Sequence, residues 1–230
     1  MMGVIVPVIH ILNWEQTKYN VDLCVNNGIN KVFLINHSVG YDSLDKLTNF
    51  AGAIKTTYPE LWVGCNYLQL STREAMTYVK NLNSKNFTQI DGLWTDNAHI
   101  SVEDASLNEA DLINAHKING LYFGGVAFKY QKQPKPEDLK WVCENAMKYV
   151  DVITTSGPAT GVGPSINKIV EIRNYIGDHK LAIASGINKS NIKDFSDYVD
   201  YFLVASSITN NSTELIDEKK LIELVNILES

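Results

Sequence analysis

Short apolar runs alternate with longer stretches of helical period along the whole chain. The run at residues 4–11 precedes a stretch at 14–26 whose apolar residues recur every three or four positions, with Gly28 as its stop. The pairing then repeats: 31–36 before 43–58, 61–67 before 71–82, 92–96 before a helical pattern within 101–118, and 120–126 before 136–149. It continues with 152–155 before 165–176, 181–184 before 189–195, and 202–205 before 218–228. Pro59 ends the second helix, Ser71-Thr72-Arg73-Glu74 resembles a capping box, and Pro164 suits the start of the sixth helix. The strand runs are apolar on nearly every position, as parallel strands covered by helices require.

Eight strand–helix units with no polar linker between them predict one α/β domain over residues 1–230, closed as a (β/α)8 TIM barrel. An open doubly wound sheet is the competing architecture. Eight parallel strands close more naturally than they lie open, and the glycine fingerprint of a dinucleotide site is missing after the first strand.

Composition narrows the class. A chain of 230 residues with 45% hydrophobic content supplies one large core. The net charge of -6 and the scattered Lys and Arg residues argue against a nucleic-acid partner. Cys24, Cys65 and Cys143 are odd in number and far apart, which fits a reducing cytoplasm and neither disulfides nor a cysteine zinc site. Residues 1–12 lack a basic leading region and contain Pro7 and His10, so they read as a first strand and not a signal peptide. No apolar run has transmembrane length, so no membrane insertion is expected. Homo-oligomers commonly form through the outer helices of such barrels, although no residue here marks an interface.

In a barrel of this kind chemistry sits at the C-terminal ends of the strands. The last three strands end in Ser156-Gly157, Ser185-Gly186 and Ser206-Ser207. Small residues there expose backbone N–H groups that cradle an anion, and the loops after strands seven and eight often hold phosphate in this fold. The phosphate candidates are Gly157, Thr160, Gly161, Ser185, Gly186, Ser206 and Ser207; the plainer reading is tight turns that need small residues.

The other strand ends supply His10, Asn36, Asn66, Asp96, Lys129 and Thr155. Asn36, Asn66 and Asp96 follow one another at intervals of 30 residues, one unit each, and so project from equivalent places around one mouth. Asp96 follows Leu93-Trp94-Thr95, an apolar wall that raises a carboxyl pKa, and is the leading general acid or base. His10 and Lys129 are the further catalytic candidates; Asn36, Asn66 and Thr155 are candidates for holding substrate hydroxyls. Each has a structural alternative: strand terminator, helix cap, packed histidine or solvated lysine. His37 and His99 are nearby possibilities, whereas His116 and His179 fall on the opposite, stability face. No motif for a metal, a nucleotide loop or a nucleophile elbow is present, so no cofactor is expected.

Several blocks resemble the BtpA family. Residues 8–12 (VIHIL) resemble its IHLLPLPG start, 62–68 (WVGCNYL) its GVNVLRND strand, and 151–161 (DVITTSGPATG) its VTGPATG strand. Ala184-Ser185-Gly186-Ile187-Asn188 and Val204-Ala205-Ser206-Ser207 are similar to its GSGV and VGSS pair. The resemblance spans nearly the whole chain and implies a TIM barrel with a site for a small phosphorylated sugar or nucleotide-like molecule. It carries no firm reaction. The chain departs from the family in its first loop, Asn13-Trp14-Glu15, and in its fifth strand, where Gly125-Val126-Ala127-Phe128-Lys129 replaces a DVHVKH-like segment.

Two classes of function follow. One is an isomerase or epimerase, or a nucleosidase or phosphoribosyl-transfer enzyme, with Asp96 moving a proton. The other is a non-catalytic assembly factor, for which the altered fifth strand speaks. An open anion-holding mouth supports the enzyme; a mouth filled by Trp14, Phe128 and Tyr130 supports the factor.

Overall fold

Every apolar run becomes a strand, and the strands pair in chain order until the last closes on the first. The computed structural model describes residues 3–38, 40, 42–85, 88–104, 106–210 and 212–230. The strands are β1 (Val4–His10), β2 (Lys31–Ile35), β3 (Trp62–Asn66), β4 (Gly92–Thr95), β5 (Leu121–Gly125), β6 (Val152–Thr155), β7 (Lys180–Ala184) and β8 (Tyr201–Val204). The helices are α1 (Trp14–Asn26), α2 (Asp42–Thr57), α3 (Thr72–Ser84), α4 (Asn108–Asn114), α5 (Pro136–Tyr149), α6 (Ile166–Ile176), α7 (Ile192–Phe195) and α8 (Glu218–Glu229). All pairings are parallel, so this is the closed (β/α)8 barrel that the pattern predicts. Among the described residues no helix is long and apolar enough to cross a membrane.

Two helices are shorter than their sequence patterns. Before α4 the chain makes a 3-10 turn at Val102–Asp104 and then places Leu107 in the left-handed region, so helix begins only at Asn108. Before α7, Asn188 and Asn191 take the local amides: Ser190 N donates to Asn188 Oδ1 and Asn188 N to Asn191 Oδ1. Asn side chains that bond backbone in this way compete with helix, and α7 is left with four residues.

Alternate residues of each strand face inward or toward the helices. The inward set is lopsided. Phe33 lies at the centre, edge-on to Trp62 (5.2 Å), Trp94 (5.8 Å) and Phe123 (5.1 Å). Glycines make room for these rings: a Cβ on Gly64 would come within 2.3 Å of Phe33, and one on Gly92 within 2.2 Å of Trp62. On the side of β1 and β7 the interior residues are small, including Val6, Val8, Ala182 and Ala184, and β8 adds Leu203 near the mouth. Bulk below and on one side, with small residues opposite, leaves space at the C-terminal mouth next to β1, β7 and β8.

The N-terminal end is fastened by a repeated device. Asp91, Asp151 and Asp200 each stand just before an even-numbered strand and accept the amide of the preceding strand: Val63 N (2.8 Å), Tyr122 N (2.8 Å) and Leu181 N (2.9 Å). Each also meets a cation: Lys55 (2.9 Å), Lys117 (2.7 Å), and Arg173 with Lys180 (both 2.8 Å). These ties hold strand register at the end remote from the mouth.

Candidate functional site

A cavity of about 360 Å³ opens at the C-terminal ends of the strands. Val8, Ala184 and Leu203 give it an apolar wall, and Trp94 lines it beside Asp96. His10, His37, Asp96 and Lys129 face it from one side, and Thr160, Gly161, Ser185, Gly186, Ser206 and Ser207 from the other. Most of the strand-end candidates therefore share one space.

Asp96 follows β4 and is fixed through its backbone. Its carbonyl accepts Gln131 Nε2 and lies against Gly125, where a Cβ would come within 2.0 Å of it. Asn66, 2% exposed at the end of β3, donates from Nδ2 to Asp96 Oδ1 at 3.2 Å. Burial pushes the Asp96 carboxyl above its usual range, with Lys129, Asn66 and His37 pulling the other way. Burial likewise lowers His10, against the opposing pull of Glu214; His37 and Lys129 add to the lowering. The His10 and His37 rings meet edge to face at 4.7 Å.

Lys129 is placed by the loop after β5. Its amide donates to Ser156 Oγ at 2.7 Å and its Nζ to Thr160 Oγ1 at 3.2 Å. Beneath it Lys168 ties two loops together, donating to the carbonyls of Ala127 (2.6 Å) and Ser156 (2.9 Å). Burial lowers the Lys168 pKa to about 8. Neither Lys168 nor Glu214 belongs to a motif, and sequence reasoning missed both.

The small-residue side is built by loop-on-loop packing. Ser185, at φ 138°, donates from Oγ to the Ala159 carbonyl (3.2 Å) and accepts from the Gly161 amide (3.1 Å). Among the described residues the amides of Gly186, Ser206 and Ser207 have no protein acceptor. Two buried side-chain polar atoms also lack partners there, Trp94 Nε1 and Ser207 Oγ, and both residues line the cavity. Unpaired buried donors at a cavity wall are what a bound polar ligand satisfies.

Four candidates do not line the cavity: Asn66, which is buried and bonded to Asp96, and Asn36, Thr155 and Gly157. Ile35 points inward, so Asn36 points out; its Nδ2 donates to the Ser43 carbonyl and its Oδ1 accepts Ser38 N, both at 3.0 Å. It braces the start of α2, and His37, one residue on, takes the cavity position. Thr155 is on the outward alternation of β6, fully buried, with Oγ1 donating to the Ala127 carbonyl at 3.2 Å. Gly157 is packed under its own loop, where a Cβ would meet the Val162 carbonyl oxygen at 2.1 Å, and does not line the cavity. After β7 helix starts only at Ile192, and after β8 residues 205–208 form a turn. His99 lines a separate depression with Gln131 and Lys135.

The mouth is not plugged by the three aromatic residues that would fill it. Trp14 packs against Phe50 at 5.4 Å on the helical layer, and Tyr130 is 79% exposed; only Phe128 lies within the barrel.

Fold and cavity together define a (β/α)8 barrel with a polar site at the strand C-termini. No protein-family model matches the chain, and no curated protein matches it in sequence. Solved structures do. Phosphoribosyl anthranilate isomerase from Thermus thermophilus superposes with a TM-score of 0.63 at 14% identity, over 99% of this chain and 98% of that one. Thiamine phosphate pyrophosphorylase from Pyrococcus furiosus gives 0.61 at 13%, over 99% and 96%. The native form of KDPGal gives 0.66 at 10%, over 98% and 94%. At such identities the likeness is one of fold.

Proposed function

We propose that this barrel is an enzyme acting on a small phosphorylated sugar or nucleotide-like substrate, most simply as an isomerase or epimerase, and that it is a divergent relative of the BtpA family. The observation that carries the proposal is a single cavity with unpaired amides at Gly186, Ser206 and Ser207 on one side and Asp96, His10 and Lys129 on the other. The amides, with Thr160, Gly161 and Ser185 at the rim, bind the phosphate. Asp96, whose pKa burial raises, serves as proton donor, and His10, whose pKa burial lowers, as proton acceptor. Burial moves the two groups in opposite directions, the carboxyl up and the imidazole down, as suits an acid–base pair that moves a proton between adjacent atoms. Lys129 balances negative charge developing on the substrate, and Asn66 orients Asp96. The names of two structural neighbours, a phosphoribosyl anthranilate isomerase and a thiamine phosphate pyrophosphorylase, support a phosphorylated substrate.

The test is a thermal-shift screen of pentose phosphates, hexose phosphates and nucleotides against their unphosphorylated counterparts, since a ligand of the native state raises its apparent stability. A phosphorylated hit is then incubated in D2O, where an isomerase or epimerase washes deuterium into a carbon-bound position. Absence of any phosphate-dependent shift overturns the substrate class. A hit without deuterium exchange overturns the reaction class.

A further inference from the structure

Glu214 lies in the loop between β8 and α8 at φ 54°, a left-handed conformation that a glutamate rarely adopts. Its backbone is clamped there by two buried side chains of α1. Gln16 Nε2 (3.0 Å) and Asn20 Nδ2 (2.8 Å) both donate to the Glu214 carbonyl. Asn20 Oδ1 accepts the Ile216 amide (2.8 Å), and the Glu214 amide donates to the Asn210 carbonyl (2.8 Å). Gln16 Nε2 also donates to the His10 carbonyl at 3.1 Å, so one side chain grips both strand β1 and this loop. The result is a Glu214 carboxylate oxygen 3.3 Å from Nδ1 of His10. Strained backbone persists where its surroundings over-determine it, and such sites cluster at functional centres.

We propose that Glu214 is a positioning residue that holds His10 as the tautomer protonated on Nδ1, leaving Nε2 as the proton acceptor at the cavity. The proposal rests on the cavity being a catalytic site. Nε2 makes no hydrogen bond among the described residues, and it is the ring nitrogen left for a ligand. In the step it serves, a proton passes from a substrate C–H or O–H to Nε2 and the bonding pair stays on the substrate. The imidazolium so formed is stabilised by the Glu214 carboxylate 3.3 Å away. The charged and titratable groups facing His10 are Glu214 from the loop after β8, His37 from the end of β2 and Lys129 from the loop after β5.

Long-range 1H–15N spectra of the histidine rings in the full chain test this without a substrate. His10→Gln identifies the His10 signals, and His179, whose Nε2 lies 3.0 Å from the Val150 carbonyl, is an internal reference with the opposite tautomer. The parent protein should show His10 protonated on Nδ1. Glu214→Gln should keep that tautomer, because the amide oxygen still accepts, but lower the His10 pKa by removing the negative charge. Glu214→Ala should shift neutral His10 to the Nε2-protonated form while His179 is unchanged. The proposal is overturned if the parent His10 carries its proton on Nε2, or if a folded Glu214→Ala keeps the parent tautomer. It is also overturned if the His10 pKa in Glu214→Gln is equal to or above the parent value; this outcome decides alone should the alanine variant fail to fold. Since no ligand enters, failure of the phosphorylated-substrate proposal leaves the result readable.

Discussion

A Cβ placed on Gly186 would lie 2.0 Å from the backbone nitrogen of Gly163, so the glycine is required where two loops meet as well as where a ligand would sit. Gly186 also has φ 70°, which a side chain resists. Gly186→Ala should therefore displace the loop at residues 157–163 and lower stability together with anion binding. Ser206 separates the two effects, because it is exposed, lines the cavity and supports no packing. Ser206→Asp should weaken phosphate binding at least about tenfold by like-charge repulsion, while stability stays within about 0.5 kcal/mol. Calorimetric titration of phosphate or a sugar phosphate, paired with thermal melts, checks both. Equal affinity in Ser206→Asp and the parent removes the cradle from that turn.

Asp96→Asn should abolish turnover and stabilise the protein. The folded pKa of Asp96 is raised, so its contribution to stability is fully present below the unfolded value and is lost as pH rises through the folded one. Wherever the carboxyl is ionised, its burial is a cost, and an isosteric amide removes it while still accepting from Asn66. The Tm of the variant should exceed that of the parent at pH 7, and the gap should close in acid. A variant Tm below the parent at pH 7 contradicts the burial argument.

Asp200 carries the opposite sign. Burial alone would raise its pKa, but bonds from Lys180, the Leu181 amide and Arg173 hold it below the usual carboxylate range. Its stabilisation is present above the unfolded value and disappears as pH falls through the folded one. Asp200→Asn should cost on the order of 2 kcal/mol at pH 7, from the hydrogen bonds of a charged group. For a chain of this size that is a Tm lowered by about 4–8 °C. The difference should shrink in acid; a difference constant down to acid denaturation would mean that the charge is irrelevant.

Phe33 is fully buried and touches three aromatic rings. Phe33→Ala should cost about 3–5 kcal/mol in denaturant unfolding. Because Trp94 leans on Phe33 and also lines the cavity, its fluorescence should respond to the same variant. Loss of stability with an unaltered Trp94 signal would show that the interior and the mouth are independent.

The barrel was legible because each strand run is bounded by its own punctuation and each helix has its own period. The lengths of α4 and α7 were not, since Leu107 adopts a left-handed conformation and Asn188 and Asn191 claim backbone groups that a helix would use. Counting along strand ends pointed to His10, Asp96 and Lys129, which line the cavity with Ser185, Gly186, Ser206 and Ser207, and to Asn66, which lies beside it bonded to Asp96. It erred by one residue at Asn36, where the alternation of the strand carries His37 to the interior instead. Thr155 erred for the same reason, because a strand of period two sends neighbouring residues to opposite faces. Glu214 left no trace in pattern or motif; only the folding of α1 against the last loop brings it to His10.

The aspartates at the base divide the barrel into fastened strand pairs, β3 with β4, β5 with β6 and β7 with β8, and at the same station before β2 stands Asn30. Each fastening lies at the far end from the cavity and uses no residue of the upper loops. The mouth can thus be rewritten, loop by loop, without loosening the register of the staves below. Such a division of labour leaves the barrel's register independent of what its mouth comes to hold.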